Sequence, residues 1–403
     1  MSEPTLHLAL VLHMHQPKYN LTGPAYESEV AVDVFRQTIH PYTYPAEAVK
    51  RNKKARITLN YTGSLIEQLN ELMSVDFDFR LGGLWDKFRE LKSLGMVDFT
   101  GCGYFHPIFP LIPELDGQKQ IEMHLEMYRN TFGGRPSGLW LPELAFKMEL
   151  IPLLERMGFK WVIVDGPHVV NANRDKNRNE LLYHPHYARY GGSTIIVVPR
   201  DRDISNAQQS GYNPIWLKNE VQRKIQPFND GSMLLTVATD GENGWFRHSG
   251  ENAGFWGWFF EPLLYLLDKD PEFQFIRLTT VDEYLREYPP KDTVVVEAGS
   301  WNVPGAVDDG RFLKWTEGWE RQEVWNVILE TSGLVREVSG KVGVLGEDCA
   351  VGLRENLAEA WRWLLMAESS DYFWWGAQDW LNKSKICCAK AREKVKEIMR
   401  VVV

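Results

Sequence analysis

The sequence predicts an α/β barrel followed by a helical region. Short apolar runs alternate with helical patterns along the first part of the chain, and from Trp315 onward the pattern is helical. Alternation of strand and helix requires a parallel sheet with right-handed crossovers. Seven or eight such units over about 280 residues favour closure into a barrel over an open sheet.

Seven runs are predicted to be buried strands, because each is apolar and stops at a polar residue or a turn. They cover residues 8–14, 56–61, 97–102, 138–142, 161–165, 194–199 and 234–239, with 273–278 as a weaker eighth candidate. In such barrels the chemistry collects at the carboxyl ends of the strands. We expect one rim to hold the polar residues at these ends, which are His13, His15, Asn60, His106, Glu143, Asp165, Arg200 and Asp240.

The segment after residue 280 predicts a different architecture. Residues 281–288 are the last predicted helix of the barrel, and two prolines end it. Three amphipathic helices then follow, over residues 319–329, 355–367 and 380–401. The stretch 368–376 is too aromatic for a surface loop, so we expect it to contact the barrel rim and to present Asp371 there.

The composition excludes several classes of partner. A formal net charge of -9, with no long run of Lys and Arg, argues against nucleic acid and membrane surfaces. No stretch is apolar enough to span a bilayer, and the first apolar run lacks a basic leader, so we expect no signal peptide. The four cysteines have no metal-ligand spacing, which favours reduced thiols in a cytoplasmic protein. A neutral substrate and no cofactor fit this composition, and the oligomeric state stays open.

The predicted strand over residues 234–239 stops abruptly in residues that carry chemistry. Asp240 and Glu242 emerge there beside two glycines that let the backbone turn sharply, and Trp245 follows. An ordinary helix start, in which an aspartate caps and a glutamate follows, would not explain the aromatic residue. We therefore expect catalysis by at least one of the two carboxylates.

A second strand end has the same organisation. Residues 137–146 carry Glu143 out of a strand beside Trp140. A surface carboxylate needs no aromatic neighbours, whereas a semi-enclosed acid next to a ring is a typical setting for a tuned pKa. Two carboxylates at strand ends, flanked by tryptophan, predict paired acid chemistry on a sugar.

His13 and His15 lie two residues apart in a predicted strand, so both imidazoles point to the same side. Two functional interpretations stay open from the residues alone. In one, the imidazoles are ligands in a metal-dependent deacetylase or amidohydrolase, completed by one of Asp165, His168 or Asp240. In the other, they hydrogen-bond substrate hydroxyls. The plainest alternative is a pair of satisfied polar residues at a strand end.

Five sequence patches together resemble glycoside hydrolase family 57, whose members are retaining enzymes active on α-glucans. In chain order they are His15-Gln-Pro17, Gly101-Cys-Gly-Tyr-Phe-His-Pro107, Trp140-Leu-Pro-Glu143, Asp240-Gly-Glu-Asn243 and Ala367-Glu-Ser-Ser-Asp-Tyr-Phe-Trp-Trp375. Each patch is weak alone, but the set is specific in this order and spacing, and it covers almost the whole chain.

The resemblance implies an irregular (β/α)7 barrel over residues 1–290, followed by a C-terminal α-helical domain over 291–403 that contributes Asp371 and aromatic residues to the rim. It also implies that Glu143 is the nucleophile and Asp240 the general acid/base, in a mechanism without a metal or cofactor. The predicted substrate-binding residues are His13, His15, His106, Trp140, Glu242, Trp245, Asp371 and Trp374. Among the tryptophans near the rim, we also expect some of Trp256, Trp258 and Trp301 to stack on sugar rings.

One departure from part of the family bears on the reaction. His106 stands where some transglycosylating members have a glutamate, and the chain resembles the α-amylase and amylopullulanase-like branch. This favours hydrolysis of α-1,4-glucans such as starch, glycogen and maltodextrins, with α-1,6 links as a further target. A 4-α-glucanotransferase or an α-glucan branching enzyme stays an alternative, because acceptor subsites decide between water and sugar.

Overall fold

The computed structural model describes residues 6–225, 232–243, 254–302, 310–343 and 351–402. Nine strands form a single sheet within these ranges. They are β1 (Leu6–Met14), β2 (Ile57–Tyr61), β3 (Val97–Thr100), β4 (Gly138–Leu139), β5 (Trp161–Asp165), β6 (His186–Tyr190), β7 (Ser193–Arg200), β8 (Met233–Asp240) and β9 (Ile276–Leu278).

Seven of the strands form a nearly closed parallel barrel. Neighbours along the sheet follow the order β3-β2-β1-β8-β7-β5-β4, and every pair on this path is parallel. The two ends of the path meet at Gly101, which donates to Gly138 O at 2.8 Å and accepts from Trp140 N at 2.8 Å. The predicted (β/α)7 barrel is confirmed, and each of its strands overlaps one of the seven predicted apolar runs.

Two strands lie outside this ring. β9 pairs with the first three residues of β1, before β1 begins to pair with β2. The weaker eighth run is therefore a strand, but it does not belong to the seven-stranded barrel. β6 was not predicted, and it runs antiparallel to β7 across Gly191 and Gly192, which both have positive φ. Its outer end is exposed and polar, so it lacks the continuous apolar pattern of a buried strand.

Helices surround the barrel and continue beyond it. Those before residue 290 are α1 (Glu29–Lys50), α2 (Gly63–Met73), α3 (Leu84–Ser93), α4 (Glu114–Phe132), α5 (Ile151–Arg156), α6 (Gly166–Ala172), α7 (Arg178–Leu182), α8 (Arg202–Ser210), α9 (Pro214–Ile225), α10 (Glu261–Lys269) and α11 (Val281–Glu287). Those after it are α12 (Leu313–Thr316), α13 (Trp319–Gly343), α14 (Val351–Ala367), α15 (Asp371–Trp374) and α16 (Gln378–Val402). Within the described ranges, no helix combines the length and the apolarity needed to cross a membrane.

The barrel strands are buried on both faces. All nine residues of β1 are buried, and so are all residues of β8 except Asp240 at its end. A hydrophobic cluster joins residues after β3 to the C-terminal helices and includes Phe105, Phe109, Trp325 and Phe373. The predicted division at residue 290 falls between α11 and α12, but this shared cluster fixes the C-terminal helices against the rim. Burial of this apolar surface explains how residues of α15 reach the barrel mouth.

Candidate active site

A cavity of about 660 Å³ opens at the carboxyl end of the barrel strands. Its position agrees with the expected rim, since β1, β7 and β8 each deliver polar side chains there. The lining residues are His13, His15, His106, Glu143, Arg200, Asn206, Gln209, Ser210, Asp240, Glu242, Trp301, Asn302, Asp371, Trp374 and Trp375.

His13 and His106 form one hydrogen-bonded chain with an assignable direction. Asn60 Nδ2 donates to Thr100 Oγ1 at 2.9 Å, so its Oδ1 accepts from His13 Nδ1 at 2.7 Å. His13 Nε2 then accepts from His106 Nε2 at 3.0 Å, and His106 Nδ1 accepts from Ser370 Oγ at 2.7 Å. Burial, reinforced by the charge of His15, lowers the pKa of His13 to about 3, and burial also lowers the pKa of His106. Both rings are therefore neutral near neutral pH.

His15 connects the barrel to the C-terminal helices. Its Nε2 donates to Asp371 Oδ2 at 2.8 Å, and its Nδ1 lies 2.9 Å from Thr62 Oγ1. Asp371 Oδ2 also accepts from Ser369 Oγ at 2.7 Å. Burial alone would raise the pKa of Asp371, but the charge of His15 and these hydrogen bonds lower it. Asp371 is thus a fixed carboxylate at the cavity wall.

Glu143 is held in an unusual backbone conformation. It lies in a 3₁₀ turn, Pro142–Leu144, which begins three residues after the end of β4, and its backbone has φ 59° and ψ 15°; Leu144 also has positive φ, at 48°. Each left-handed non-glycine residue costs about 1–2 kcal/mol. Strain of this kind persists only where the surroundings enforce it, and it concentrates at functional sites.

The loop before Asn302 supplies hydrogen-bond donors to Glu143. Trp301 Nε1 donates to Glu143 Oε2 at 2.7 Å, and Asn302 Nδ2 donates to the same oxygen. The loop is anchored at Gly299, which pairs with Phe146, and at Ser300, whose carbonyl lies 3.0 Å from His168 Nε2. Donors aimed at one carboxylate oxygen stabilise its ionised form and fix its orientation.

Asp240 ends β8 directly beside His13, its partner in the parallel β1–β8 register. The turn after it is tight, because Gly241 N donates to His13 O at 2.8 Å and a Cβ on Gly241 would lie 2.3 Å from Met14 Sδ. The guanidinium of Arg200 is almost fully buried and lies over the ring of Trp301 at 5.0 Å. Its positive charge favours the ionised form of Asp240.

The pKa values of Glu143 and Asp240 are both raised. Burial, and then the negative charge of Asp240, raise the pKa of Glu143 to about 8, against the donors Trp301 and Asn302. Burial raises the pKa of Asp240 to about 6, against the positive charge of Arg200. The two carboxyl groups repel each other's charge, so they titrate as a pair. Between about pH 6 and about pH 8 the pair holds a single proton, which is the state that acid/base chemistry on a sugar requires.

Of the predicted substrate-binding residues, His13, His15, His106, Glu242, Asp371 and Trp374 line the cavity. Trp140 does not, because its side chain is fully buried and stacks on His13 at 4.8 Å. The predicted direct contact of Trp140 with substrate is therefore corrected. Its ring instead packs against the imidazole of His13 and supports it. Trp245 lies outside the described residues. Of the other tryptophans expected near the rim, Trp301 lines the cavity, whereas Trp256 is buried and Trp258 is exposed elsewhere.

Several cavity residues escaped the sequence reasoning. Asn206, Gln209 and Ser210 belong to α8 and its end, so no strand end marks them. Asn302 follows a loop that carries no recognisable motif. Trp375 ends the fifth of the family-like patches, and its side chain lines the cavity while it is 68% exposed.

A metal-dependent deacetylase or amidohydrolase would need His13 and His15 to lie beside a third metal ligand, and the structure does not show this arrangement among the described residues. In the described part of the chain, one group brings potential ligand atoms within 4.8 Å of one another, and it consists of His15, His106 and Asp371. Asp165 is instead fully buried against Arg202, and His168 serves the loop at Ser300. The combination of His13 and His15 with Asp165, His168 or Asp240 is therefore not assembled among these residues.

Comparison with known proteins gives a family match over most of the chain. The model described as "Glycosyl hydrolase family 57" matches residues 9–297. A 4-α-glucanotransferase of Thermococcus litoralis is 24% identical over 389 residues, which cover 91% of this chain and 53% of that protein. An α-amylase of Pyrococcus furiosus is 26% identical over 305 residues, which cover 73% and 42%. The chain thus spans about half, or less, of the length of these curated relatives.

The fold is similar to that of solved structures. An exo-type maltose-forming amylase from Pyrococcus sp. ST04 superimposes with a TM-score of 0.71 at 14% identity, covering 97% of this chain and 80% of that one. At such low identity the likeness concerns the fold, a barrel with a C-terminal helical region.

Proposed function

The chain belongs to glycosyl hydrolase family 57, and from this premise we propose that it is a retaining glycoside hydrolase acting on α-1,4-glucans. The observation that carries the proposal is the carboxyl pair Glu143 and Asp240. Both side chains lie at the ends of barrel strands and line one cavity, and the negative charge of Asp240 raises the pKa of Glu143. The tryptophans at the same cavity provide flat faces suited to sugar rings.

In the first step, the Glu143 carboxylate attacks the anomeric carbon of an α-glucoside from the opposite face. A bond forms between a carboxylate oxygen and C1, and the glycosidic bond breaks. Asp240 gives its proton to the departing sugar oxygen. The strained turn and the donors Trp301 and Asn302 support this role, since they orient the Glu143 carboxylate toward one position.

In the second step, Asp240 removes a proton from water, and the water oxygen attacks C1. The bond to Glu143 breaks and its carboxylate is regenerated, so the product keeps the α configuration. We propose that the Asp371 carboxylate, held by His15, binds a hydroxyl of the reacting glucose together with Glu242. His13 and His106 are neutral and use their ring nitrogens on neighbours, so they shape the wall and transfer no proton.

The pKa values of the two side chains favour the shared proton on Glu143, which is not the proposed acid. The order of the two pKa values, about 8 for Glu143 and about 6 for Asp240, places the proton on Glu143. The proposed mechanism needs it on Asp240. Bound substrate must therefore reverse the order: the glycosidic oxygen accepts a hydrogen bond from protonated Asp240, and the positive charge that develops at the anomeric carbon favours the ionised form of Glu143.

A bell-shaped dependence of kcat/KM on pH is expected from this pair. Below about pH 6 both carboxyl groups are protonated and no nucleophile is available; above about pH 8 both are ionised and no acid is available. The optimum should lie between these values, and initial rates on maltoheptaose across the range measure it. A profile that is flat over this whole interval would contradict a mechanism that depends on one shared proton.

The product profile tests the proposed function and separates it from transfer. The protein is incubated with maltoheptaose, amylose and pullulan in the presence of EDTA, and oligosaccharides and reducing ends are quantified. Shorter maltodextrins with rising reducing ends support hydrolysis, and cleavage of pullulan would extend the substrates to α-1,6 links. Longer and shorter products at constant reducing ends would instead indicate a 4-α-glucanotransferase or a branching enzyme. No change in any substrate would overturn the proposal.

A further inference from the structure

We propose that Asp116 and Glu368 share one proton and, together with Gln120, act as positioning residues for the cavity segment 369–371. The inference rests on the proposed function, because that segment carries Asp371. It concerns a cluster outside the cavity, between α4 and the end of α14.

Glu368 directly precedes the residues that complete the cavity wall. Ser369 Oγ donates to Asp371 Oδ2, and Ser370 Oγ donates to His106 Nδ1, each at 2.7 Å. The backbone is tied to the same loop, since Ser370 N donates to His106 O at 3.0 Å. A displacement of Glu368 would therefore move both the carboxylate and the hydroxyl that the cavity uses.

Gln120 joins Glu368 to the loop that bears His106. Its Nε2 donates to Glu368 Oε2 at 3.1 Å and to Leu365 O at 2.7 Å. Its Oε1 accepts from Phe105 N at 3.0 Å, one residue before His106. One fully buried amide thus connects the end of α14 with the barrel loop that it faces. The amide fixes the distance between the two parts of the cavity wall.

The carboxyl groups of Asp116 and Glu368 meet in a fully buried position. Neither oxygen of Asp116 has a well-aligned donor, and neither does Oε1 of Glu368. Two ionised carboxylates offer only acceptors, so a hydrogen bond between them exists only when one carries a proton. Burying two negative charges together would be very costly. A single shared proton supplies the missing donor and removes one charge.

The surroundings favour this protonation state. Burial raises the pKa of Asp116 and, with the charge of Asp116, strongly raises that of Glu368. Arg336 on α13 favours the ionised form of Asp116, so the proton belongs to Glu368. The hydroxyl of Ser332 also faces Asp116. Burial lowers the pKa of His124 on α4 to about 3, and burial raises the pKa of Cys388 on α16 to about 11, so both are uncharged near neutral pH.

Replacement of Glu368 by glutamine or by leucine tests the inference. The amide of Glu368→Gln provides a permanent N–H donor to Asp116, whereas Glu368→Leu fills a similar volume without one. Hydrogen–deuterium exchange of the peptide covering residues 365–374 is measured on the apo protein between about pH 6 and about pH 9, after correction for the intrinsic exchange rate. Opening that releases one proton should grow by about tenfold per pH unit above the pKa of the pair.

We expect the wild-type peptide to open increasingly as the pH rises, and Glu368→Gln to remove this increase. Glu368→Leu should open at every pH and lower kcat/KM on maltoheptaose, with recovery in the glutamine variant. Glu355 is exposed on the same helix α14, and Glu355→Gln and Glu355→Leu are the matched controls that should change nothing. Should Glu368→Leu fail to fold, Asp116→Asn provides an independent second variant: its amide donates to Glu368, so the pH-dependent opening should disappear as it does in Glu368→Gln.

A second readout uses the direction of the linkage. The folded protein holds the proton of Glu368 to higher pH than the unfolded chain, so its stabilising effect is complete below the unfolded pKa and is lost as the pH rises through the folded one. The Tm of wild type should therefore fall relative to that of Glu368→Gln at alkaline pH. Equal pH dependence of exchange and Tm in the two proteins would overturn the inference. Neither readout needs catalysis, so a failure of the proposed glucan activity would be seen separately.

Discussion

Replacement of Glu143 by alanine is expected to lower kcat/KM on maltoheptaose by at least about 10⁴-fold, because no covalent intermediate can form without the nucleophile. The rest of the cavity should stay intact, since the side chain is held by donors and not by apolar packing. Initial rates, together with a circular dichroism spectrum and the Tm, measure the effect. Glu149→Ala is the matched control, because Glu149 is exposed in the next turn of the chain and should be silent.

The product that Glu143→Ala forms with azide identifies the role of Glu143 more directly than the decrease in its reaction rate does. In Glu143→Ala, azide can enter the space of the missing carboxylate and attack an activated α-maltosyl fluoride directly. A single displacement inverts the anomeric carbon, so the expected product is the β-maltosyl azide. An α-azide from this variant would show that the covalent intermediate still forms and that Glu143 is not the nucleophile.

Replacement of Asp240 by alanine is expected to lower kcat/KM on maltoheptaose by about 10²–10⁴-fold, the range typical of a lost general acid/base. The loss should be much smaller in the first step for an aryl α-maltoside with an acidic phenol, because such a leaving group needs no proton. Slow breakdown of the intermediate should then appear as a burst of phenol. Asp203→Asn on α8 is the control, since Asp203 is exposed and forms an ion pair with Lys224, and neither residue lines the cavity.

Azide should also accelerate the second step in Asp240→Ala. It attacks the glycosyl-enzyme without needing a base, and two displacements give the α-maltosyl azide. The pair of experiments therefore decides between the proposed roles and their exchange. If Asp240→Ala gave the β-azide and Glu143→Ala the α-azide, the roles would be exchanged, with Asp240 as nucleophile and Glu143 as acid, in agreement with the order of their pKa values.

The barrel was predictable because buried parallel strands leave an unambiguous pattern. Strands covered on both faces are continuous apolar runs, and β1, β5 and β8 follow this rule most closely, whereas β2 and β3 carry polar residues among their apolar ones. β6 was not predicted because it is an edge strand with exposed residues. Its polar pattern resembles that of a loop. The weaker eighth run was ambiguous for a related reason, since only three of its residues pair with β1.

The positions of the cavity residues were predictable to different degrees. Asp240 is the last residue of β8 and Glu143 lies in the turn that follows β4, so the fold class alone brings them to one rim. Asp371 contacts His15 across 356 residues of sequence, and no local pattern encodes such a contact. Its position was expected only from the resemblance and the unusual aromatic stretch. Trp140 was misjudged because an aromatic residue beside a catalytic carboxylate can face either the substrate or the core, and here it packs beneath His13.

The sequence does not predict which of Glu143 and Asp240 has the higher pKa. It depends on Arg200, which is buried against Asp240 by the packing of β7 beside β8, and on the donors that the loop at residues 299–302 brings to Glu143. These neighbours come from separate parts of the chain. Burial depth and charge proximity are tertiary quantities, so spacing along the chain does not contain them.

The configuration of the first product tests the central claim most directly. Proton NMR of maltoheptaose hydrolysis in the presence of EDTA, recorded before mutarotation, distinguishes the α from the β reducing end. A double displacement by Glu143 and Asp240 predicts that the α anomer appears first and that the β anomer grows in only at the rate of mutarotation. Initial release of the β anomer would contradict the account, because a single displacement needs no nucleophilic carboxylate.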